Sequence, residues 1–218
     1  MIQLLYMSGQ LILVRHSEST DNAKGVWCGI RNVGLTPKGK ADARKIGSVL
    51  KDQTFDVIYV SQLKRTRQTL NEILKTYGKT KSKIKKSGAI DERDYGNLAG
   101  RDKWEVRASI GVHAFNDIRR GWDVPVPDGE SLKDVYERVV PWYKMIVLPQ
   151  LLKGKNIMIV AHGNSNRALR KYLENISHEA IKYAQMDFDK VRIYDIRNNG
   201  RAKHCSIRRI RTDKTNRY

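Results

Sequence analysis

Two short, wholly apolar runs in this chain are each cut off by a histidine. Leu11-Ile12-Leu13-Val14 ends at Arg15-His16-Ser17, and in the strand Asn156–Ala161 the apolar run Ile157-Met158-Ile159-Val160-Ala161 ends at His162-Gly163-Asn164-Ser165. A run that is apolar at every position, rather than at every second one, must be buried on both faces. That is the condition of a parallel strand lying between helical layers. Phe55–Val60, apolar but for Asp56, is a third strand and stops at Ser61. Helical patterns separate the three. Thr36 is placed to cap a helix with Pro37 at its first position, and Ala41, Ile46, Val49 and Leu50 form its apolar stripe. A second helix over Lys64–Thr76 turns Leu70, Ile73 and Leu74 inward. Gly129-Glu130-Ser131 precedes a long helix to about Leu152, with a kink expected at Pro141. Leu169 and Leu173 mark a further helix, and Val191–Ile196 and His204–Ile210 read as late strands. This order of strand and helix specifies an α/β architecture with a parallel sheet.

In an open parallel sheet, ligands bind beyond the carboxyl ends of the strands. His16 and His162 therefore face one crevice, joined by Ser61, Lys64 and Arg65 from the end of the third run. Imidazoles among guanidiniums make an anion pocket, because the planar fork of arginine meets two phosphate oxygens at once. A neutral imidazole is a competent nucleophile toward phosphorus, and Arg15 and Arg65 supply neutralising charge. A proton must also reach or leave the substrate oxygen. A carboxyl in a partly dry pocket could shuttle it; Asp91, Glu92 and Asp94, in a loop with two glycines, are equal candidates on this reading. No compact set of Cys or acidic residues accompanies the histidines, so no metal is expected.

Charge is the remaining conspicuous feature. The 218 residues hold 42 Lys+Arg against 23 Asp+Glu, a net charge of +19. Taken alone, this tilts slightly toward nucleic acid as partner, yet it also suits capture of small polyanions. Much of the excess lies in Lys79–Lys86, read as a basic connection, and in a basic C-terminal tail from about 197 to 218. A hydrophobic content of 40% excludes a disordered polyelectrolyte, and no apolar run nears the ~20 residues of a membrane span. Met1–Ser8 reads poorly as a signal peptide. Cys28 and Cys205 are too few for a disulfide framework, which implies a reducing, cytoplasmic setting. With no repeat and no linker, residues 1–218 are expected to form one domain.

The segment Leu13-Val14-Arg15-His16-Ser17-Glu18-Ser19-Thr20-Asp21-Asn22 resembles the phosphate-binding signature of the histidine phosphatase superfamily. Further segments narrow the likeness. Gly34–Gly39, Ser61–Thr66, Asp91-Glu92-Arg93-Asp94-Tyr95-Gly96, Gly100–Lys103, Ile118-Arg119-Arg120, Gly129–Asp134 and Ala161–Ser165 resemble the cofactor-dependent (2,3-bisphosphoglycerate-dependent) phosphoglycerate mutases. The resemblance implies a three-layer α/β/α sandwich with a mostly parallel sheet. It implies that His16 is the phosphorylated nucleophile and that Glu92 donates and accepts the proton. Arg15, Asn22, Arg65 and His162 would hold the moving phosphoryl group, with Cys28, Gly29, Gly163 and Asn164 beside it. Tyr95, Lys103, Arg119 and Arg120 would bind the carboxylate and the other phosphate. The implied reaction interconverts 2- and 3-phosphoglycerate, primed by 2,3-bisphosphoglycerate, without a metal. The implied partner is the small anionic substrate, with no membrane; a homodimer is left open, and nucleic acid is kept only for the basic tail.

The chain departs from that pattern at several points. Ser17 replaces a glycine, so its Cβ is expected to crowd the backbone or demand a different φ. Asp21 replaces a tryptophan, and Cys28 a threonine or serine. Met186-Asp187-Phe188-Asp189 stands where a Thr-Gly-x-Pro segment is usual, and the Arg120–Glu130 stretch is short. A broad phosphatase on the same fold is the alternative enzyme, and a weakened enzyme with an anion-binding tail is the alternative outside catalysis.

Overall fold

The computed structural model describes residues 8–78 and 81–211. The chain runs β1 (Gln10–Arg15), a single turn α1 (Thr20–Ala23), α2 (Pro37–Val49), β2 (Val57–Val60), α3 (Lys64–Tyr77) and β3 (Lys83–Lys86). A long loop with two 3-10 turns leads to α4 (Lys103–Ile110) and α5 (Val112–Arg120). Then follow α6 (Leu132–Trp142), α7 (Leu148–Leu151), β4 (Ile157–Ala161), α8 (Gly163–Leu173), β5 (Lys190–Ile196) and β6 (Ala202–Arg209). The strands form one sheet in the order β3-β2-β4-β1-β5-β6. β1, β2, β3 and β4 are parallel, while β5 and β6 are antiparallel to their neighbours.

The uninterrupted apolar runs are explained by the two faces of this sheet. Leu11 and Leu13 of β1, with Ile157 and Ile159 of β4, pack against α6 and α8 through Val135, Val139 and Leu169. Ile12 and Val14, with Met158 and Val160, pack on α2 and α3 through Ile46, Leu70 and Ile73. Each such side chain contributes about 1.5–3 kcal/mol on full burial, so both helical layers are held by the same short strands. The result is the expected α/β/α sandwich. A third cluster of Trp27, Tyr95, Leu98, Val106, Phe115 and Val126 lies under the α4–α5 pair.

Local signals behave as the sequence suggests at several ends. The Thr36 hydroxyl accepts from the Gly39 amide at 2.9 Å, and Pro37 opens α2. Beyond Pro141, which lacks the N–H its turn requires, α6 passes into a wide π turn at Tyr143–Val147. Ser17 differs from expectation: it is not among the residues with positive φ, so its Cβ imposes no left-handed strain. Its amide donates to Thr69 Oγ1 at 3.1 Å, although its own hydroxyl is buried without a partner.

One further expectation is corrected. The basic connection Lys79–Lys86 contains strand β3, whose four residues are all exposed at the edge of the sheet. Lysines on an edge strand hinder unwanted strand pairing. Within the basic segment from 197, the expected late strand is β6, paired with β5, and Arg208 pairs with Asp52 just beyond α2. Lys79, Thr80 and residues 212–218 lie outside the described residues, as does most of Met1–Ser8.

Where α2 crosses α3, a Cβ on Gly47 would stand 2.3 Å from the Ile73 carbonyl oxygen. Gly47→Ala is therefore expected to destabilise the protein by ~1–3 kcal/mol, despite alanine's better helix propensity, because backbone must move. A thermal melt checks this, and an unchanged or raised Tm contradicts it.

Candidate active site

Parallel register brings the two histidines together. Arg15 pairs with Ala161 at the ends of β1 and β4, and the His16 amide extends the ladder to the Ala161 carbonyl at 2.9 Å. The imidazoles meet edge-on with centroids 5.0 Å apart. His16 Nδ1 lies 2.7 Å from the Ser17 carbonyl oxygen. A carbonyl can only accept, so Nδ1 carries the hydrogen and Nε2 presents its lone pair. Arg65 Nε donates to that Nε2 at 3.3 Å. Burial, with Arg65 and Arg15 nearby, holds the His16 pKa well below the ordinary histidine value. The ring is therefore a neutral nucleophile across the physiological range.

His162 is also buried, and its pKa is depressed by burial, by Arg65 and by His16. Its Nε2 lies 2.7 Å from Ser61 Oγ, which already accepts from the Leu63 amide at 3.2 Å. Its Nδ1 is buried without a partner. Both histidines fold as neutral rings that prefer to protonate once exposed. The unfolded chain consequently binds more protons below about pH 6.5, and stability falls as pH drops through that value. Urea unfolding at pH 8 and pH 5 should show this loss; equal midpoints would contradict it.

A cavity of about 130 Å³ opens beside His16. The residues implied by the family resemblance all line it except His162, whose ring meets that of His16, while Ser61 and Lys64, expected at the same crevice, do not line it. Trp27, Arg167, Gln185 and Met186 also line it and were not expected. Arg65 commits Nη1 and Nη2 to the Arg31 and Gly29 carbonyls at 2.8 and 2.7 Å, so it orients His16 rather than standing free. Arg15 donates once, to the Met186 carbonyl at 2.7 Å, and its buried Nε has no partner. Burial lowers its pKa to about 10. Asn22 accepts from Ser19 through Oδ1, which leaves its amide hydrogens for another acceptor. The Cys28 thiol is pushed up to about 11 by burial and stays protonated. Its neighbour Asp21, in the usual tryptophan position, pairs with Arg31 at 2.9 Å.

Helices α4 and α5 carry a further wall. Lys103 is the first residue of α4, and Arg119 and Arg120 are the last of α5. Burial, then Arg119 and Arg15, lower the Lys103 pKa to about 8. The Arg120 pKa is lowered by burial and by Arg119. Two buried guanidiniums hold this wall by its backbone. Arg93 donates to the Ile118 and Val124 carbonyls at 2.7 and 3.0 Å, and Arg167 donates to the Arg120 carbonyl at 2.8 Å. Arg167 is legible only as part of the Arg-Ala-Leu segment after the second histidine, and its bracing role has no local signal.

Glu92 occupies the start of α8. Its two oxygens accept the amides of Gly163 at 3.1 Å, Asn164 at 3.0 Å and its neighbour Arg93 at 2.9 Å. Helix N-termini favour a negative charge there. The geometry thus singles out Glu92 from the three loop acids, since neither Asp91 nor Asp94 lines the cavity. Tyr95 is fixed by Asn164 Nδ2 at 2.9 Å and by the Trp27 ring at 4.6 Å.

The expectation that no compact donor set exists is also corrected. Ligand atoms of His16, Glu92 and His162 all lie within 4.8 Å of one another, placed there by two strand ends and a loop far apart in sequence. The set does not suit a cation, because Arg15 and Arg65 flank it and the Glu92 oxygens already accept three amides. Close, mutually repelling cations around an unpaired guanidinium Nε call instead for an anion.

Fold and site together define an α/β protein with a buried histidine and clustered cations around one small cavity suited to an anion. Comparison with known proteins sharpens this. Residues 11–207 match the model of the histidine phosphatase superfamily (branch 1), and the chain belongs to that superfamily. A 2,3-bisphosphoglycerate-dependent phosphoglycerate mutase of Parvibaculum lavamentivorans is 37% identical over 196 residues, covering 89% of this chain and 93% of that protein. One from Bradyrhizobium diazoefficiens is 44% identical over 173 residues, covering 78% and 84%. Among solved structures, a mycobacterial glucosyl-3-phosphoglycerate phosphatase superposes with a TM-score of 0.79 at 19% identity, covering 92% of this chain and 97% of that one. This last likeness is one of fold.

Proposed function

We propose that this protein interconverts 2- and 3-phosphoglycerate through a phosphohistidine on His16. The observation that carries the reading is one cavity shared by the histidine and a cluster of cations. His16, whose Nε2 accepts only from Arg65 Nε among the described residues, lines the same cavity as Lys103, Arg119 and Arg120. A phosphoglycerate has one phosphoryl group for the histidine and further negative charge for the cations. The mutase name shared by relatives at 37–44% identity supports the same substrate class.

His16 Nε2 attacks phosphorus, a P–N bond forms and the P–O ester bond breaks. Glu92 gives its proton to the leaving oxygen. Arg15 neutralises the moving group, and Arg65 keeps the imidazole in line. In the reverse sense, Glu92 takes the proton from a substrate hydroxyl as that oxygen accepts the phosphoryl group from His16. His16 then recovers a phosphoryl group from the other carbon. The role of 2,3-bisphosphoglycerate is to supply the first phosphoryl group, and the unpartnered Arg15 Nε and clustered cations fit such an anion. The six strands share one sheet, which supports treating the chain as one domain. Two free cysteines suit a reducing compartment such as the cytoplasm. Among the described residues, no helix is long and apolar enough to cross a membrane.

The test is incubation with 3-phosphoglycerate and a trace of the bisphosphate. Formation of 2-phosphoglycerate well in excess of free phosphate supports the mutase; free phosphate as the main product assigns a phosphatase instead. A pH profile adds a second check. Lys103 must be protonated to hold an anion, so its pKa of about 8 places the alkaline fall of kcat/KM near pH 8 in the free enzyme. Lys103→Arg should move that fall upward. An alkaline limb that ignores the substitution removes Lys103 from the binding wall.

A further inference from the structure

The segment Met186–Asp189 is where the chain departs most from the usual family pattern, and it touches the nucleophile's own neighbour. The Phe188 ring lies flat beneath the Arg15 guanidinium, with Cζ 3.7 Å from the ring centroid. The same ring meets His16 edge-on at 5.9 Å. Two residues earlier, the Met186 carbonyl accepts the only side-chain hydrogen bond that Arg15 makes among the described residues. Arg15 is half-buried, has no carboxylate in ion-pair contact among the described residues, and keeps its buried Nε unpartnered. Its plane is therefore set by one carbonyl and one aromatic face.

We propose that Phe188 is the positioning residue for Arg15: its ring fixes the guanidinium plane and keeps water off that face while the phosphoryl group moves to His16. A guanidinium stacked on an aromatic face in a desolvated site gains from the ring quadrupole. Excluding water also strengthens the pull of Arg15 on the phosphoryl oxygens. Phe188 thus does for this chain what a different local sequence must do in relatives with the Thr-Gly-x-Pro segment. The inference rests on His16 being the phosphoryl acceptor.

Two readouts separate the inference from that reading. One is the rate of His16 labelling by ³²P-2,3-bisphosphoglycerate in a rapid-quench experiment. The other is the affinity for inorganic phosphate by calorimetry, which needs no turnover. Phe188→Leu, which keeps an apolar side chain and loses the ring, should slow labelling and weaken phosphate binding, each about tenfold. Phe188→Tyr should restore both to within about twofold, a rescue that mere space filling would not require. In an Arg15→Gln background, Phe188→Leu should add less than about twofold, because the partner is gone. Wild-type labelling and binding in the leucine variant, or an equal loss in the Arg15→Gln background, overturns the proposal. Absence of labelling in the wild type defeats the phosphohistidine reading, and the phosphate affinities still decide the role of Phe188. Should Phe188→Leu fail to fold by circular dichroism, Phe188→Met takes its place in the same comparison.

Discussion

His16→Ala should lose at least ~10⁴-fold in turnover and all acid-labile phosphate labelling, since the group that bonds to phosphorus is removed outright. Binding should survive far better than chemistry. Lys103, Arg119 and Arg120 are carried by other elements, Arg15 is fixed by the β1 ladder, and the cavity's cations remain in place. Inorganic phosphate should therefore still bind, within about tenfold of wild type, by loss of one contact. The contrast between chemistry and binding is the informative result. A surface histidine in a basic crevice would change both slightly, whereas a nucleophile changes one and spares the other. Retained label in the alanine variant would transfer the role to another side chain, His162 being the nearest ring. Neutrality adds a further signature. The depressed pKa of His16 means that labelling should not fade through pH 6.5 as an unperturbed histidine would.

The extent to which this site was legible follows from how each part is encoded. The apolar runs ending at His16 and His162 specify their own burial, and right-handed parallel connections leave one end of the sheet for both rings. Local chemistry also marks Thr36 and Pro37 at the start of α2. By contrast, α4 and α5 were not read as helices. Their apolar residues Val106 and Phe115 pack on a small satellite cluster rather than on the sheet, so the periodic signal is short. Without those helices, Arg119 and Arg120 have no assigned wall. The choice of Glu92 over Asp91 and Asp94 is likewise tertiary, because it depends on amides contributed by α8. The late strand at His204–Ile210 is legible despite its charge, and both of its faces are partly wet at the sheet edge. Arg93 and Arg167 escaped notice. Buried arginines that bond only to carbonyls follow no pairing pattern in sequence, yet they hold the wall that carries the binding cations.

Glu92→Gln carries the second large effect, and its size should depend on the leaving group. General acid–base assistance contributes ~10²–10⁴-fold, so turnover of phosphoglycerate should fall by that amount. An aryl phosphate with an acidic phenol leaves without a proton, and labelling of His16 from such a donor should fall far less. A nucleophile or a binding residue lost at this position would penalise both donors alike, so equal losses would strip Glu92 of its proton-transfer role. The structure adds a cost that must be separated from catalysis. Glu92 accepts three amides with two oxygens, and glutamine offers one oxygen and an N–H₂ that faces a donor. At least one amide at the start of α8 then loses its partner, which costs ~1–3 kcal/mol of stability. That loss shows in a thermal melt and is the same whatever the substrate. The ratio of the two rate losses is free of it, because both donors are measured on one variant. A large ratio follows only if a proton from residue 92 reaches the leaving oxygen.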